Sequence, residues 1–133
     1  ATEKALFNCL LWGPWKEFIQ NRVCVIDVLG KYNFHRFLAL LEVYGIPHGV
    51  ILDDDNQKNH HQVVNDLVIR SASSFTVGVP NCLPGDLETF LGLSLPGRGD
   101  KKPIEILKAV SNNAIPPEKL EALKEVFKKC LAL

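Results

Sequence analysis

Apolar residues recur at the spacing of amphipathic helices along most of the chain. The pattern breaks at glycine and proline positions, which are the usual ends of helices. The predicted helices span residues 3–20 with a break at Gly13-Pro14, 31–44 up to Gly45, 58–70, 83–92, 102–110, and from Pro117 onwards. Between them lie short apolar segments without this period, which are candidates for strands.

Three of these segments have the composition of β-strands. Residues 23–29, VCVIDVL, form a near-continuous β-branched run, which is typical of a strand buried on both faces of a parallel sheet. Residues 48–53 and 75–80 are the second and third predicted strands. Strands that alternate with helices predict an α/β fold, a small parallel β-sheet sandwiched by helices in a Rossmann-like manner, with further C-terminal helices. We expect an N-terminal helical arm over residues 1–21 and one domain over residues 22–133.

Composition limits the classes of function. The chain of 133 residues has 15 lysines and arginines and 15 acids, so a nucleic-acid contact would be a local patch. No apolar run reaches the roughly 18 to 20 residues of a membrane span. The cysteines are widely spaced without a CxxC pair, which predicts buried, reduced thiols. We therefore expect a cytoplasmic protein that makes no membrane contact.

An acidic turn follows the second predicted strand in ILDDDN, residues 51–56. Ligands of parallel sheets bind beyond the carboxyl ends of the strands, and Asp53, Asp54 and Asp55 lie at such an end. Crowded carboxylates raise one another's pKa unless a cation neutralises them, and Asp53 and Asp55 could both face one hard cation such as Mg²⁺. A solvated Asx-type turn that caps the helix beginning near Lys58 explains the same pattern. Both interpretations stay open on the pattern alone.

A family resemblance favours the metal site. Three segments in this order and spacing resemble the C-terminal TOPRIM domain of the overcoming lysogenization defect (OLD) family of ATP-dependent nucleases, over roughly residues 22–111. They are ILDDDNQKNHHQVVNDLVI, GDLETFLG and GRGDKKPIEILK. The DxD motif alone is short and common, so the specificity lies in the order of the segments.

The resemblance implies a role for each matching residue. Asp53 and Asp55 match the metal-binding DxD, Glu88 matches a downstream acidic ligand, and Lys102, or its neighbour Lys101, matches a lysine that contacts the scissile phosphate. It implies Mg²⁺ or Mn²⁺ as cofactor and hydrolysis of DNA phosphodiesters as the reaction. Asp53, Asp55, Glu88 and Lys102 are the predicted catalytic residues.

Basic and histidine residues near the acidic turn are further candidates. Lys101, Lys102 and Arg98 could form a phosphate-contacting patch on DNA, although a solvated helix face has the same pattern. His60 and His61 begin a predicted helix next to the turn. Adjacent helical residues point about 100° apart, so at most one of the two histidines can face the acidic turn, and a solvated or helix-capping histidine is the favoured interpretation.

Two positions depart from the family pattern. TOPRIM domains place a glutamate immediately before the glycine that ends the first strand, and the OLD family adds another acid a few residues later. Leu29 precedes Gly30 here, and Asn33 stands where the second acid would be. Asp27 lies on the same strand face as Leu29 but about 6–7 Å further back. The interpretation is a nuclease site in which half of a two-metal centre is missing, so that its activity is weakened or lost.

Two other functions remain open at this point. One is a non-catalytic module that binds nucleic acid or protein and retains only the TOPRIM fold. The other is a receiver-like phosphoacceptor that uses Asp53, although the acidic pair expected after the first strand is missing. The chain has no GxxxxGK[ST] phosphate loop, whereas OLD-family proteins carry an upstream ATPase domain, so we expect such a domain or subunit as a partner.

Overall fold

Helices account for most of the regular structure of the chain. The structure is a computed structural model that describes residues 2–55, 59–78, 80–95 and 99–133. At Cys82 it describes the backbone but not the side chain. The helices are α1 (Thr2–Trp12), α2 (Lys16–Gln20), α3 (Phe34–Val43), α4 (Asn59–Arg70), α5 (Leu87–Leu91), α6 (Lys102–Ser111) and α7 (Pro117–Cys130). A 3-10 turn (Lys31–Asn33) precedes α3. The strands are β1 (Ile51–Asp53) and β2 (Asn81–Leu83). The fold is a mostly helical α/β arrangement.

The helix ends agree with the sequence signals. Gly13-Pro14 separates α1 from α2, and Gly45 follows α3 with a φ of 62°, the left-handed conformation that ends many helices. Asp86 caps α5, because its side chain accepts a hydrogen bond from the Thr89 N–H at 2.8 Å. The helical periodicity therefore predicted these elements correctly.

The strands are shorter than predicted. β1 and β2 run parallel, with Ile51 opposite Asn81 and Asp53 opposite Leu83, and an isolated parallel bridge joins His48 to Thr76. Residues 75–80 contribute only that bridge among their described positions, and Val79 lies outside the described residues. The third predicted strand was therefore wrong as a continuous strand.

The strand predicted for residues 23–29 is also absent from the described structure. Residues 23–28 pair with no other strand there, and a turn begins at Leu29. Val23 and Val25 pack against the core, whereas Cys24 and Ile26 are exposed. A β-branched run predicts burial on both faces only if a partner strand and a second layer cover it, and this segment has one covered face.

Two hydrophobic clusters lie on opposite faces of β1. Ile51 packs against the larger cluster and Leu52 is buried in the smaller one, as the alternation of side chains along a strand requires. The larger cluster joins α1, α2, β2, α5, α6 and α7 through Leu6, Phe7, Leu10, Leu11, Trp15, Phe18, Leu83, Leu87, Leu91, Ile106, Ile115, Leu123 and Phe127. The smaller cluster contains Leu38, Val50, Leu52 and Val68 and joins β1 to α3 and α4.

An aromatic group connects the two ends of the chain. The ring of Phe127 in α7 lies 5.4 Å from Phe7, 5.7 Å from Trp15 and 5.1 Å from Phe18, measured between centroids. These separations are those of favourable aromatic pairs. Trp12, by contrast, is exposed.

The C-terminal end of α7 lies against the segments that lead into β1 and β2. A Cβ atom at Gly49 would overlap the carbonyl oxygen of Cys130, and one at Gly78 would overlap that of Lys129. The thiol of Cys130 donates a hydrogen bond to the Val50 carbonyl oxygen at 3.3 Å. Glycine is therefore required at both positions so that helix and strands can approach each other.

The cysteine side chains differ in their exposure to solvent. Cys130 is buried, and this burial raises the pKa of its thiol to about 11. Cys24 is exposed, so the expectation of buried thiols was wrong there, and the Cys82 side chain lies outside the described structure.

Across the part of the chain that the structure describes, no helix has the length and apolar character needed to cross a membrane.

Candidate functional site

Backbone contacts hold the acidic turn against the loop that follows β2. The Asp54 N–H donates to the Leu83 carbonyl oxygen at 3.0 Å, and the Asp55 N–H donates to that of Gly85 at 3.0 Å. The Asp54 carboxylate in turn accepts a hydrogen bond from the Gly85 N–H at 2.7 Å. Asp54 is thus a structural residue that places Asp53 and Asp55 beside the start of α5.

Asp53 is the most perturbed acid of the turn. Burial raises the pKa of its carboxyl to about 7, and the negative charges of Glu3, Asp55, Asp86 and Glu88 raise it further. These four acids come from α1, the turn, the α5 cap and α5 itself. The carboxylate of Asp53 therefore lies in a negative environment that a proton or a metal cation would stabilise.

Asp55 has a cationic partner and a histidine neighbour. It adopts a left-handed backbone with a φ of 51°, and its carboxylate forms an ion pair with the ammonium group of Lys31. The Nδ1 atom of His61 lies 3.4 Å from Oδ2 of Asp55, is buried, and has no hydrogen-bond partner in the described structure. Of the two adjacent histidines only His61 faces the turn, whereas His60 is exposed, as the spacing of adjacent helical residues requires; the favoured interpretation of a solvated residue holds for His60 and was wrong for His61.

A buried amide connects the turn to α4. Asn65 is almost completely buried; its Nδ2 donates to the Asp53 carbonyl oxygen at 3.2 Å, and its Oδ1 accepts from the Lys31 ammonium at 3.0 Å. Lys31 also donates to the Asp53 carbonyl oxygen at 2.9 Å. The backbone of the acidic turn is therefore fixed from two sides.

Glu88 and Lys102 form the other half of the site. The Lys102 ammonium lies 2.9 Å from Oε1 of Glu88, whose side chain is only 12% exposed. This hydrogen bond, together with the charges of Glu88, Asp86 and Glu3, raises the pKa of Lys102 and keeps it protonated. Asp86 is the N-cap of α5, and its carboxylate accepts a hydrogen bond from the Thr89 N–H. This hydrogen bond lowers the pKa of the Asp86 carboxyl.

Neither of the other two basic residues predicted to contact DNA is seen to contact the acidic turn within the described structure. Lys101 is the residue before α6, exposed and without a side-chain capping bond, and Arg98 lies outside the described residues. Glu3, in the first turn of α1, was missed by the sequence interpretation, although its charge acts on both Asp53 and Lys102. An acid in the first turn of a helix is common, so only the fold distinguishes Glu3 from an ordinary helix-end acid.

Nothing in the structure supports the interpretation of Leu29 as a replaced metal ligand. Its side chain is 78% exposed, and its backbone has a left-handed φ of 57° in the turn before α3. The Leu29 N–H donates to the Asp27 carboxylate at 2.8 Å, and the Leu29 carbonyl oxygen accepts from the Asn33 amide at 3.1 Å. Asp27 and Asn33 therefore both stabilise this turn, and the same segment presents Lys31 to the acidic turn.

The donor chemistry of Asp53 suits a hard divalent cation, whereas the described side chains do not form a complete set of ligands. Carboxylate oxygens are the ligands that Mg²⁺ prefers, and Asp53 is a buried carboxyl surrounded by negative charge. Within the described residues, no group of three or more histidine, cysteine, aspartate or glutamate side chains is arranged to hold a metal ion. Asp55 and Glu88 are instead paired with Lys31 and Lys102.

Comparison with protein families agrees with this geometry. The acidic turn at the end of β1 has the position at which parallel α/β sheets bind ligands. Residues 1–55 match the family model of the overcoming lysogenization defect protein-like TOPRIM domain. This match over 55 of the 133 residues supports the resemblance to an OLD-family TOPRIM domain, a class with a metal-binding function of nuclease or primase type. It includes Glu3, Asp53 and Asp55 but ends before Glu88 and Lys102. No curated protein and no solved structure gives a significant match to the chain.

Proposed function

We propose that this chain is a metal-dependent nuclease domain of TOPRIM type that hydrolyses DNA phosphodiesters with Mg²⁺ or Mn²⁺. The observation that supports it most strongly is the perturbed carboxyl of Asp53, which burial and neighbouring acids keep at a pKa of about 7. Such perturbed groups cluster at functional sites, and the family match ends on this turn. A divalent cation at this turn would activate water and neutralise the charge that develops on the phosphate.

The residues have separate roles in this proposal. Asp53, Asp55 and Glu88 would hold the cation, and Glu3 adds negative charge to the same place. The protonated Lys102, which pairs with Glu88, would contact the scissile phosphate. The proposed ligand side chains come from β1, from the left-handed residue two positions after it, and from the first turn of α5.

β1 and β2 would be the centre of a TOPRIM-like parallel sheet between helical layers. Lys101 and Arg98 would contact the DNA backbone beside the site. An ATPase domain or subunit would act as partner, as the OLD-family resemblance implies. The cytoplasm would be the location of the chain, as the composition of the sequence indicates.

A plasmid-nicking assay tests the proposal. The intact chain is expected to nick supercoiled DNA in Mg²⁺ or Mn²⁺ and to lose this activity in a chelator. Asp53→Ala should abolish nicking, whereas the matched control Asp66→Ala, an exposed acid on α4, should retain it. Nicking that continues unchanged in Asp53→Ala would overturn the assignment. Binding of DNA that survives chelation, without nicking, would instead indicate the non-catalytic module.

The same assay addresses Leu29. If Leu29 were a lost ligand, Leu29→Glu would raise activity. Because Leu29 is exposed in a turn whose polar groups bond to each other, we expect Leu29→Glu to leave nicking unchanged.

A further inference from the structure

Lys31 has an unusual position for a lysine. Its side chain is only 12% exposed, although lysine is normally among the most exposed residues. Gly30, with a φ of 107°, and the 3-10 turn that follows direct Lys31 towards the end of β1. The ammonium group therefore lies inside the acidic turn, away from solvent.

All the hydrogen-bonding capacity of this ammonium is used. A lysine has three N–H donors. Here the acceptors are the Asp53 carbonyl oxygen at 2.9 Å, Oδ1 of Asn65 at 3.0 Å, and the Asp55 carboxylate. The Asn65 amide is satisfied in the same network, because its Nδ2 donates to the Asp53 carbonyl oxygen. Lys31 thus has no donor left for a phosphate group, unlike the exposed Lys101.

We propose that Lys31 is an internal counter-ion of the acidic turn, which holds Asp55 when no metal is bound and competes with a divalent cation for that carboxylate. This inference rests on the proposed function, because it assumes that Asp55 is a metal ligand. A fixed positive charge beside a cation site lowers the affinity of the site for the cation, and an occupied carboxylate must be released before it can bind. Lys31 is therefore a positioning residue that sets the metal affinity.

The proposal predicts opposite effects of Lys31 on stability and on metal binding. In Lys31→Gln, the side chain keeps donors for the backbone oxygen of Asp53 but loses the charge. Without metal, this variant should melt roughly 3–6 °C below the unsubstituted chain. It should nevertheless bind Mg²⁺ roughly 3- to 10-fold more tightly, because the partly buried ammonium group no longer competes with the cation for the Asp55 carboxylate. Saturating Mg²⁺ should close the gap in melting temperature.

Two further variants separate charge from structure. Lys31→Arg keeps the charge and should retain the Mg²⁺ affinity of the unsubstituted chain within about twofold. Lys108→Gln removes the same charge from an exposed pair with Glu105 on α6 and should change neither readout. Titration calorimetry with Mg²⁺ alone, and thermal melts with a chelator or Mg²⁺, measure both effects on the full chain.

The outcomes are distinguishable. Tighter Mg²⁺ binding in Lys31→Gln, with restoration by Lys31→Arg, supports the proposal. Equal or weaker binding in Lys31→Gln, while the unsubstituted chain binds and Asp53→Ala does not, overturns the role of Lys31 and leaves the proposed function intact. No binding by either the unsubstituted chain or Lys31→Gln overturns both.

Discussion

Replacing Asp53 by asparagine should stabilise the protein in the absence of metal at neutral and alkaline pH. The folded structure raises the pKa of this carboxyl from 3.8 to about 7 through burial and nearby acids. Asparagine has nearly the same shape and no charge, so it removes the cost of holding an ionised carboxylate at this place.

The pH dependence follows from the direction of this shift. Between about pH 4 and about pH 7, the folded form holds a proton on Asp53 that the unfolded form has lost, so the free energy of unfolding falls as the pH rises through this window. Above about pH 7, Asp53 is ionised in both the folded and the unfolded form, and the full decrease in the free energy of unfolding remains. The difference between 3.8 and about 7 corresponds to an upper limit of about 4 kcal/mol, which partial solvent access reduces to roughly 2–3 kcal/mol.

Urea denaturation in a chelator, at about pH 4 and about pH 8, measures this effect. Asp53→Asn should be close to the unsubstituted protein at the lower pH and more stable by roughly 2–3 kcal/mol at the higher pH. Mg²⁺ should reverse the order at the higher pH, because only the unsubstituted protein gains stability from binding.

Asp86→Asn provides a contrast of opposite sign. The hydrogen bond from Thr89 lowers the pKa of Asp86, so its ionised form stabilises the folded state, and that contribution is lost as the pH falls through the folded-state pKa. Asp86→Asn should therefore be less stable than the unsubstituted protein at about pH 8. Equal stability of Asp53→Asn and the unsubstituted protein at both pH values would refute the reasoning about Asp53.

Three further substitutions test the fold and the support of the site. Leu123→Ala removes a fully buried side chain from the larger cluster and should cost about 2–5 kcal/mol in urea denaturation. Gly78→Ala should lower the melting temperature strongly, because φ is 68° and the added Cβ would overlap the Lys129 carbonyl oxygen. Asp54→Ala removes the acceptor of the Gly85 N–H, and should cost about 1–3 kcal/mol and weaken Mg²⁺ binding in calorimetry. An unchanged stability in any of them would contradict the contact concerned.

The helices could be predicted because their signals are local. The periodic apolar positions of α3, α4, α6 and α7, and the proline or glycine at their ends, depend on neighbours within a few residues. Strand pairing depends on distant partners, so the same β-branched composition at residues 23–29 could not show that one face would stay uncovered.

The residues of the site show the same contrast between what the sequence can predict and what only the folded chain brings together. Family resemblance pointed to Asp53, Asp55, Glu88 and Lys102, and the structure brings the acids into electrostatic range and pairs Glu88 with Lys102. Lys31 was not predicted as part of the site, because 22 positions separate it from Asp53 and only the 3-10 turn brings it close. Leu29 looked like a lost ligand because it precedes a glycine, but a left-handed turn, and no strand, occupies that place.

The measurement that tests the central claim most directly is paramagnetic broadening of amide NMR signals during titration with Mn²⁺. The proposed site predicts that the amides of Asp54, Gly85 and Glu88 broaden first, since they surround the side chains proposed as ligands. Asp53→Asn should remove this selectivity. Broadening that is uniform, or that begins at the exposed acids Glu118 and Glu121 of α7, would contradict a metal site at the acidic turn.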